Sequence, residues 1–324
     1  MSRYPEVDLS RLTLISVHER ATRVTASEFG RLLPDPGTVL ALVESLPGVL
    51  AGRVLRDAVD AVVRSHRAGR PVIVLVGAHV IKVGVQPYLI ALLERGVVSH
   101  LAMHGAGAIH DLEVALFGTT SEDVEANLAT GAFGLVRETP EFYGAAAREG
   151  KERGEGLGEA LGRRLVEATV PGAAQAGAPD ASLLAAAYRL GVPATVHVAL
   201  GTDTVHMHPA LDGAALGETS MRDFRILAHS LLEARGATVL NLGSAVILPE
   251  VFVKALTVAK NLGASFENLT TVNLDQIQHY RPRVNVVERP TRSPGARGLS
   301  LTGHHEILVP LLAQAVLARL GPRG

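Results

Sequence analysis

The chain has 324 residues, 47% hydrophobic and 19% charged, and its 31 basic and 32 acidic side chains leave a formal charge of −1. So much apolar residue with so little net charge excludes a disordered chain, and the even balance argues against a general nucleic-acid binder. With no cysteine there is no disulfide, thiolate metal site or cysteine nucleophile, and no apolar run is long enough for a membrane span. The N-terminus lacks a signal peptide's apolar segment, so a cytoplasmic enzyme with a small-molecule substrate is expected.

Residues 1–37 read as an irregular arm ending at Pro34, Asp35, Pro36 and Gly37. Residues 38–67 carry apolar side chains at helical spacing, divided by Pro47-Gly48 into two helices. PVIVLVGAHV (71–80) reads as a strand buried on both faces, 85–95 as a helix, VVSHLAM (97–103) as a second strand and 108–118 as a helix. This alternation predicts βαβ units and a parallel sheet. Residues 121–190 read as helical, with 171–179 as a loop. Strands return at 193–200, 237–243 and 268–274, with helices near 219–235, 249–263 and 304–320. No linker divides 38–324, so one α/β domain is expected, a Rossmann-like parallel sheet with helices on both faces.

In such a sheet, ligands bind beyond the carboxyl ends of the strands. The segments expected there are GAHVIKVG (77–84), HGAGAIHD (104–111), GTDTVHMHP (201–209), GSAVILPE (243–250) and TGHHE (302–306). Their glycines allow close backbone approach, and the helix starts behind them favour anionic groups. Seven of the 13 histidines lie in these loops: His79, His104, His110, His206, His208, His304 and His305. Asp203, His206 and His208 have the spacing of a zinc or iron site, with His304, His305 or Asp111 to complete it. The alternative is that these histidines line a pocket or face solvent. Asp203 and Glu250 are candidate carboxylates for acid–base work or for holding an ammonium group. Neither a GxSxG elbow nor a phosphate-binding GxxxxGK[ST] loop is present.

Across residues 70–320 these segments resemble deoxyhypusine synthase and its prokaryotic relatives. GAHVIKVG, VVSHLAMHGAGAIHDLEVAL, PATVHVALGTD, NLGSAVILPEV and a final helix containing VPLL carry the resemblance. HGAGAIHDLEVALFGTTSEDV is also similar to a group of NAD-dependent ornithine cyclodeaminases. The resemblance implies NAD as cofactor, a homotetramer with active sites at dimer interfaces, and oxidation of an amine carbon followed by attack of a second amine. It places the cofactor against Ala78, His79, Lys82, Gly105, Ala106, Gly107, Asp203, Gly243, Thr270 and Thr271, with Gly303 and His304 closing over the adenosine.

Two departures change the expected reaction. The family's catalytic lysine lies before the final strand and helix, yet 285–303 contains no lysine and none follows Lys260. Arginine cannot replace it, because a guanidinium stays protonated. The family's basic and histidine residues after the glycine-rich turn are replaced here by Leu248-Pro249-Glu250. The expectation is therefore an NAD-dependent transferase or amine oxidoreductase/lyase acting at a C–N bond of a small cationic substrate, a polyamine or an amino acid. It is not a true deoxyhypusine synthase. Asp203 or Glu250 would hold the ammonium, His206 or His208 would move the proton, and Lys82 is a relocated nucleophile or a phosphate partner. The alternatives are a metal-dependent hydrolase or lyase using Asp203, His206 and His208, and a non-catalytic nucleotide-binding protein.

Overall fold

The structure, a computed structural model, describes residues 3, 7–16, 19, 21, 25–33, 37–168 and 177–322. Pro34–Pro36 of the expected arm and residues 171–176 of the expected loop lie outside them. Within the arm, short 3-10 turns form at Leu9–Arg11 and Ala26–Glu28.

Six strands form one wholly parallel sheet: β1 (Val72–Val76), β2 (His100–His104), β3 (Ala194–His197), β4 (Thr238–Leu242), β5 (Thr270–Asp275) and β6 (Arg297–Thr302). Their order across the sheet is β3-β2-β1-β4-β5-β6, that of a doubly wound dinucleotide-binding fold. Val76 pairs with both Met103 and Leu242, and Leu242 with Leu274, so the strand tips end level along one edge.

The helices are α1 (Val39–Ser45), α2 (Leu50–Arg67), α3 (Ala78–Lys82), α4 (Gln86–Glu94), α5 (Gly105–Phe117), α6 (Val124–Thr130), α7 (Glu138–Arg153), α8 (Leu157–Ala168), α9 (Leu183–Leu190), α10 (Gly213–Ser230), α11 (Ile247–Asn261), α12 (Tyr280–Pro282) and α13 (His305–Leu320). A π-helical segment, Arg283–Glu288, continues α12. Strand side chains alternate between faces. Val72, Val74, Val76, Leu101 and Met103 share a core with residues of α2, α4, α5, α9 and α13. Ile73, Leu75, Ala102 and Val239 share another with Leu227 of α10 and Leu248 and Phe252 of α11.

Most expected elements form. The principal addition is β6, for which composition and spacing predicted no element. It is an edge strand, largely exposed, and its Gly298 and Ser300 break any apolar run. GAHVIKVG is not a loop, because Ala78–Lys82 turns into helix directly after β1. The glycine turn expected after β2 is likewise absent: α5 starts at Gly105, immediately after His104.

The face under α10 and α11 is partly polar. His100 Nδ1 meets Ser230 Oγ at 2.8 Å and its Nε2 meets Thr195 Oγ1 at 2.9 Å, while His197 Nε2 reaches the same hydroxyl at 3.0 Å. Asn241 Nδ2 donates to Asn273 Oδ1, and Asn273 Nδ2 to Gln278 Oε1, both at 2.7 Å. Asp223 of α10 accepts from Val196 N at 2.7 Å and Gly158 N at 2.9 Å, fastening β3 and the start of α8 to that helix.

Burial, reinforced by the neighbouring His197, pushes His100 down to about 3, and burial alone does the same to His197. Both rings stay neutral in the fold but protonate near 6.5 when unfolded. The stability they contribute is complete above pH 6.5 and drains away as pH falls toward 3. Between pH 7 and pH 5 each ring should cost about 2 kcal/mol. Urea unfolding at the two pH values is expected to show a shallower acid loss in His100→Gln than in the parent.

Candidate functional site

The carboxyl edge of the sheet brings together residues far apart in sequence. At the gap between β1 and β4, a Cβ on Gly77 would overlap the Gly243 carbonyl, so two backbones cross where only glycine fits. Gly243 has φ +65°, and a Cβ there would meet the His305 ring at 2.7 Å. His305 is the first residue of α13, is 1% exposed, and neither of its ring nitrogens has a hydrogen-bond partner. Its Nε2 lies 3.6 Å from Asp275 Oδ1, and its ring centroid lies 5.5 Å from that of His79. Burial lowers its pKa, opposed by the Asp275 charge. Gln276 Nε2 donates to His79 Nε2 at 3.0 Å. Ala78 N donates to His104 Nε2 at 3.3 Å, and burial together with the His110 charge pushes His104 down to about 4.

Beside this crossing lies a cleft of about 690 Å³, walled by α5, by residues 117–139 and by the loop after β3. Asp203 sits against the start of α5, where a Cβ on Gly105 would overlap its Oδ2 and the Ala106 amide helps to favour the charged carboxylate. That Oδ2 is buried, makes no hydrogen bond and lies 3.9 Å from His206 Nε2. Burial raises the Asp203 pKa against the lowering effects of His206 and of the hydrogen bonds from Thr202 and Ala106.

On α5, His110 Nδ1 lies 2.6 Å from Thr120 Oγ1, which lies 2.5 Å from Glu113 Oε2, and Thr139 Oγ1 donates to Glu113 Oε1 at 3.2 Å. The Thr120 hydroxyl has one proton and gives it to the carboxylate, so it accepts from His110 Nδ1–H. The tautomer follows: His110 Nε2 is left unprotonated on a residue that lines the cleft. Burial raises the Glu113 pKa, but the nearby His110 ring, 3.8 Å away, and the hydroxyls of Thr120 and Thr139 outweigh it and the net shift is downward.

The residues expected to form the site divide into groups. Ala78, His79, Gly105, Ala106, Gly243 and Asp203 converge as described. Lys82, the exposed last residue of α3, lines the cleft with Asp203, and among the described residues no carboxylate lies within 4.0 Å of its ammonium. Gly107 is buried within α5 and faces Met103. Gly303 packs against Leu308, and His304 is the largely exposed N-cap of α13, 3.7 Å from Glu306. Thr270 and Thr271 begin β5, so the structure places them at the amino edge, away from the strand tips. Glu250 is held by Lys254, Arg281 and Asn285, an arrangement that leaves it no free ammonium-binding role.

The metal arrangement does not assemble. Thr204–Met207 is a 3-10 turn rather than an extended segment, which separates the two rings. His206 Nδ1 accepts from Gly201 N at 3.1 Å and Asp203 N at 3.2 Å, and His208 Nδ1 accepts from Ala210 N at 3.0 Å. Asp111 caps α9 by accepting from Ser182 Oγ, Leu183 N and Leu184 N. Among the described residues no group of three His, Cys, Asp or Glu is placed to hold a metal ion. Sequence reasoning offered His305 as a candidate metal ligand and His110 among the loop histidines, but it did not single out Thr120 or the Glu113–Thr120–His110 chain. Only the Glu113-to-His110 spacing on one helix hints at the latter, since Thr120 joins them by folding back.

No protein-family model matches this chain, and no curated protein matches it. Among solved structures it resembles AgrE in its ternary complex with ornithine and NAD+, at 15% identity over 86% of this chain and 35% of that one, TM-score 0.49. It also resembles a putative LOR/SDH protein from Methanococcus maripaludis S2, at 17% identity over 90% and 74%, TM-score 0.49. A third is a putative deoxyhypusine synthase from Entamoeba histolytica, at 12% identity over 85% and 91%, TM-score 0.45. The chain spans about a third of the length of AgrE.

The Gly77–Gly243 crossing yields a stability test. Gly77→Ala should destabilise the fold by about 3 kcal/mol, because backbone must shift at the centre of the sheet. Gly217→Ala on α10, where an added Cβ meets nothing within 4 Å, should be neutral or stabilising by up to about 1 kcal/mol. Urea melts of both variants at one pH check the pair.

Proposed function

We propose that this chain binds NAD across the β1–β4 gap and acts at a C–N bond of a small amine held in the adjoining cleft. In a doubly wound sheet the dinucleotide lies at the point where strand order reverses, and here that point is the Gly77–Gly243 crossing. The two unpartnered ring nitrogens of buried His305 supply polar groups at that position, so the residues present fit a dinucleotide. His79, Ala78 and His305 would hold it. NAD, when bound, accepts a hydride from the carbon bearing the substrate nitrogen.

The observation that carries the substrate class is the charge of the cleft. Asp203, Glu113, Glu122 and Glu138 line it against the single ammonium of Lys82. The Asp203 Oδ2, buried, without a hydrogen bond and with only His206 Nε2 near it at 3.9 Å, favours an ammonium group that donates to it. His110 Nε2 then accepts a proton from that ammonium, freeing the nitrogen lone pair that drives oxidation of the adjacent carbon. The imidazolium so formed is stabilised through Thr120 by the Glu113 carboxylate, which keeps its own proton off. Lys82 gives the cleft one place for a substrate carboxylate, which favours a basic amino acid over a polyamine.

Calorimetric titration with NAD, followed by NADH absorbance with basic amino acids and polyamines, tests the reading. Asp203→Asn and His110→Gln should each lower kcat/KM about 100-fold while NAD affinity stays within about twofold of the parent. Lys82→Ala should raise KM for amino acids and leave polyamines unaffected, whereas a nucleophilic lysine would lose both. No NAD binding at millimolar concentration overturns the proposal.

A further inference from the structure

A second concavity, of about 510 Å³, opens at the amino edge of the sheet, opposite the cleft. Four arginines from four separate segments surround it. Arg64 comes from the last turn of α2, Arg70 precedes β1, Arg235 precedes β4 and Arg297 opens β6. Complementing the α2 dipole explains Arg64 but none of the other three.

Their carboxylate partners do not balance them. Arg70 has Glu233 at 3.7 Å and Arg235 has Glu267 at 3.0 Å, and these two carboxylates are 78% and 43% exposed. Among the described residues no carboxylate lies within 4.0 Å of Arg64 or Arg297. Arg64 Nη2 instead donates to Thr270 Oγ1 at 3.1 Å. This accounts for a threonine that sequence reasoning placed beside the cofactor. Like charges gathered round one hollow repel unless an anion joins them.

Gly236, Asn268 and Gly295 take left-handed backbone, with φ +72°, +58° and +69°, so tight turns lay small side chains along the floor of the hollow. No aromatic or large apolar side chain lines it, so it offers no platform for a nucleobase. Its volume lies within the range of small-molecule sites, and guanidinium forks match phosphate oxygens in pairs.

We propose that the Arg64, Arg70, Arg235 and Arg297 pocket binds a small molecule through a diphosphate or longer phosphate chain. The site is separate from the cleft and independent of the reading given to it.

The test is calorimetry of the full chain with inorganic pyrophosphate and tripolyphosphate at about 0.15 M salt, where non-specific charge attraction is screened. Sulfate serves as a simple-anion control. Saturable one-to-one binding is expected, weakened about tenfold in Arg297→Gln and lost in Arg64→Gln/Arg297→Gln. Arg189→Gln, which removes an exposed cation on α9, should bind as the parent does. Arg297 is exposed at an edge strand, so its single variant is the safeguard should the double variant fail to fold. Adenosine triphosphate should bind no more tightly than tripolyphosphate. Absence of binding, sulfate binding equally well, or affinity unchanged in the arginine variants would overturn the proposal. So would a tenfold preference for the nucleoside triphosphate, which would show that a base is read, and so would displacement of pyrophosphate by NAD. NAD binding retained in Arg297→Gln keeps this test distinct from that of the cleft.

Discussion

The close crossing of Gly77 and Gly243 sets the geometry on which the rest of the carboxyl edge depends. The two turns follow adjacent parallel strands whose tips are level through the Val76–Leu242 pairing. Because neither residue carries a side chain, α3 leaves β1 at once, and the His305 ring can rest against Gly243. The same economy recurs beside it, where Gly105 lets Asp203 lie on the start of α5. Backbone that close can be arranged only where Cβ atoms are missing, so the glycines shape the edge by steric permission rather than by contact.

The polar groups of the sheet follow a consistent physical logic. Those under α10 and α11 are matched to one another: His100 with Ser230 and Thr195, Asn241 with Asn273, Asp223 with two backbone amides. A buried polar group without a partner costs its desolvation energy, and each of these side chains makes at least one hydrogen bond, while Asp223 Oδ1 and Asn241 Oδ1 make none. At the carboxyl edge, Asp203 Oδ2, His206 Nε2 and both His305 nitrogens are buried and make no hydrogen bond, with His206 Nε2 lying 3.9 Å from Asp203 Oδ2.

The proposed reaction in the cleft depends on which nitrogen of His110 carries the proton. A threonine hydroxyl between an imidazole and a carboxylate has only one proton to give, and the Glu113 carboxylate takes it. The ring must then hold its own proton at Nδ1, which leaves Nε2 basic. This device needs no metal and no lysine, which suits a chain whose few lysines include only Lys82 at the cleft.

The sequence by itself determined the parallel α/β architecture. Unbroken β-branched runs such as VIVLV and alternating helical spacing are local properties of the chain. It also placed glycine and histidine where strands end, in segments 77–84, 104–111 and 201–209. Strand β6 escaped because an exposed edge strand has little need of apolar residues, and α3 because a five-residue helix after a strand looks like the strand's own continuation. Only the tertiary structure decided which residues work together. Thr270 and Thr271 carry polar side chains at the wrong end of their strand, Glu250 is engaged by Lys254 and Arg281, and His206 and His208 turn to nearby backbone amides. Partners such as Thr120 and Glu113, or Gly243 and His305, are matched in space by helix ends and strand register. Composition and spacing carry no record of that matching, because it arises from how separate elements pack.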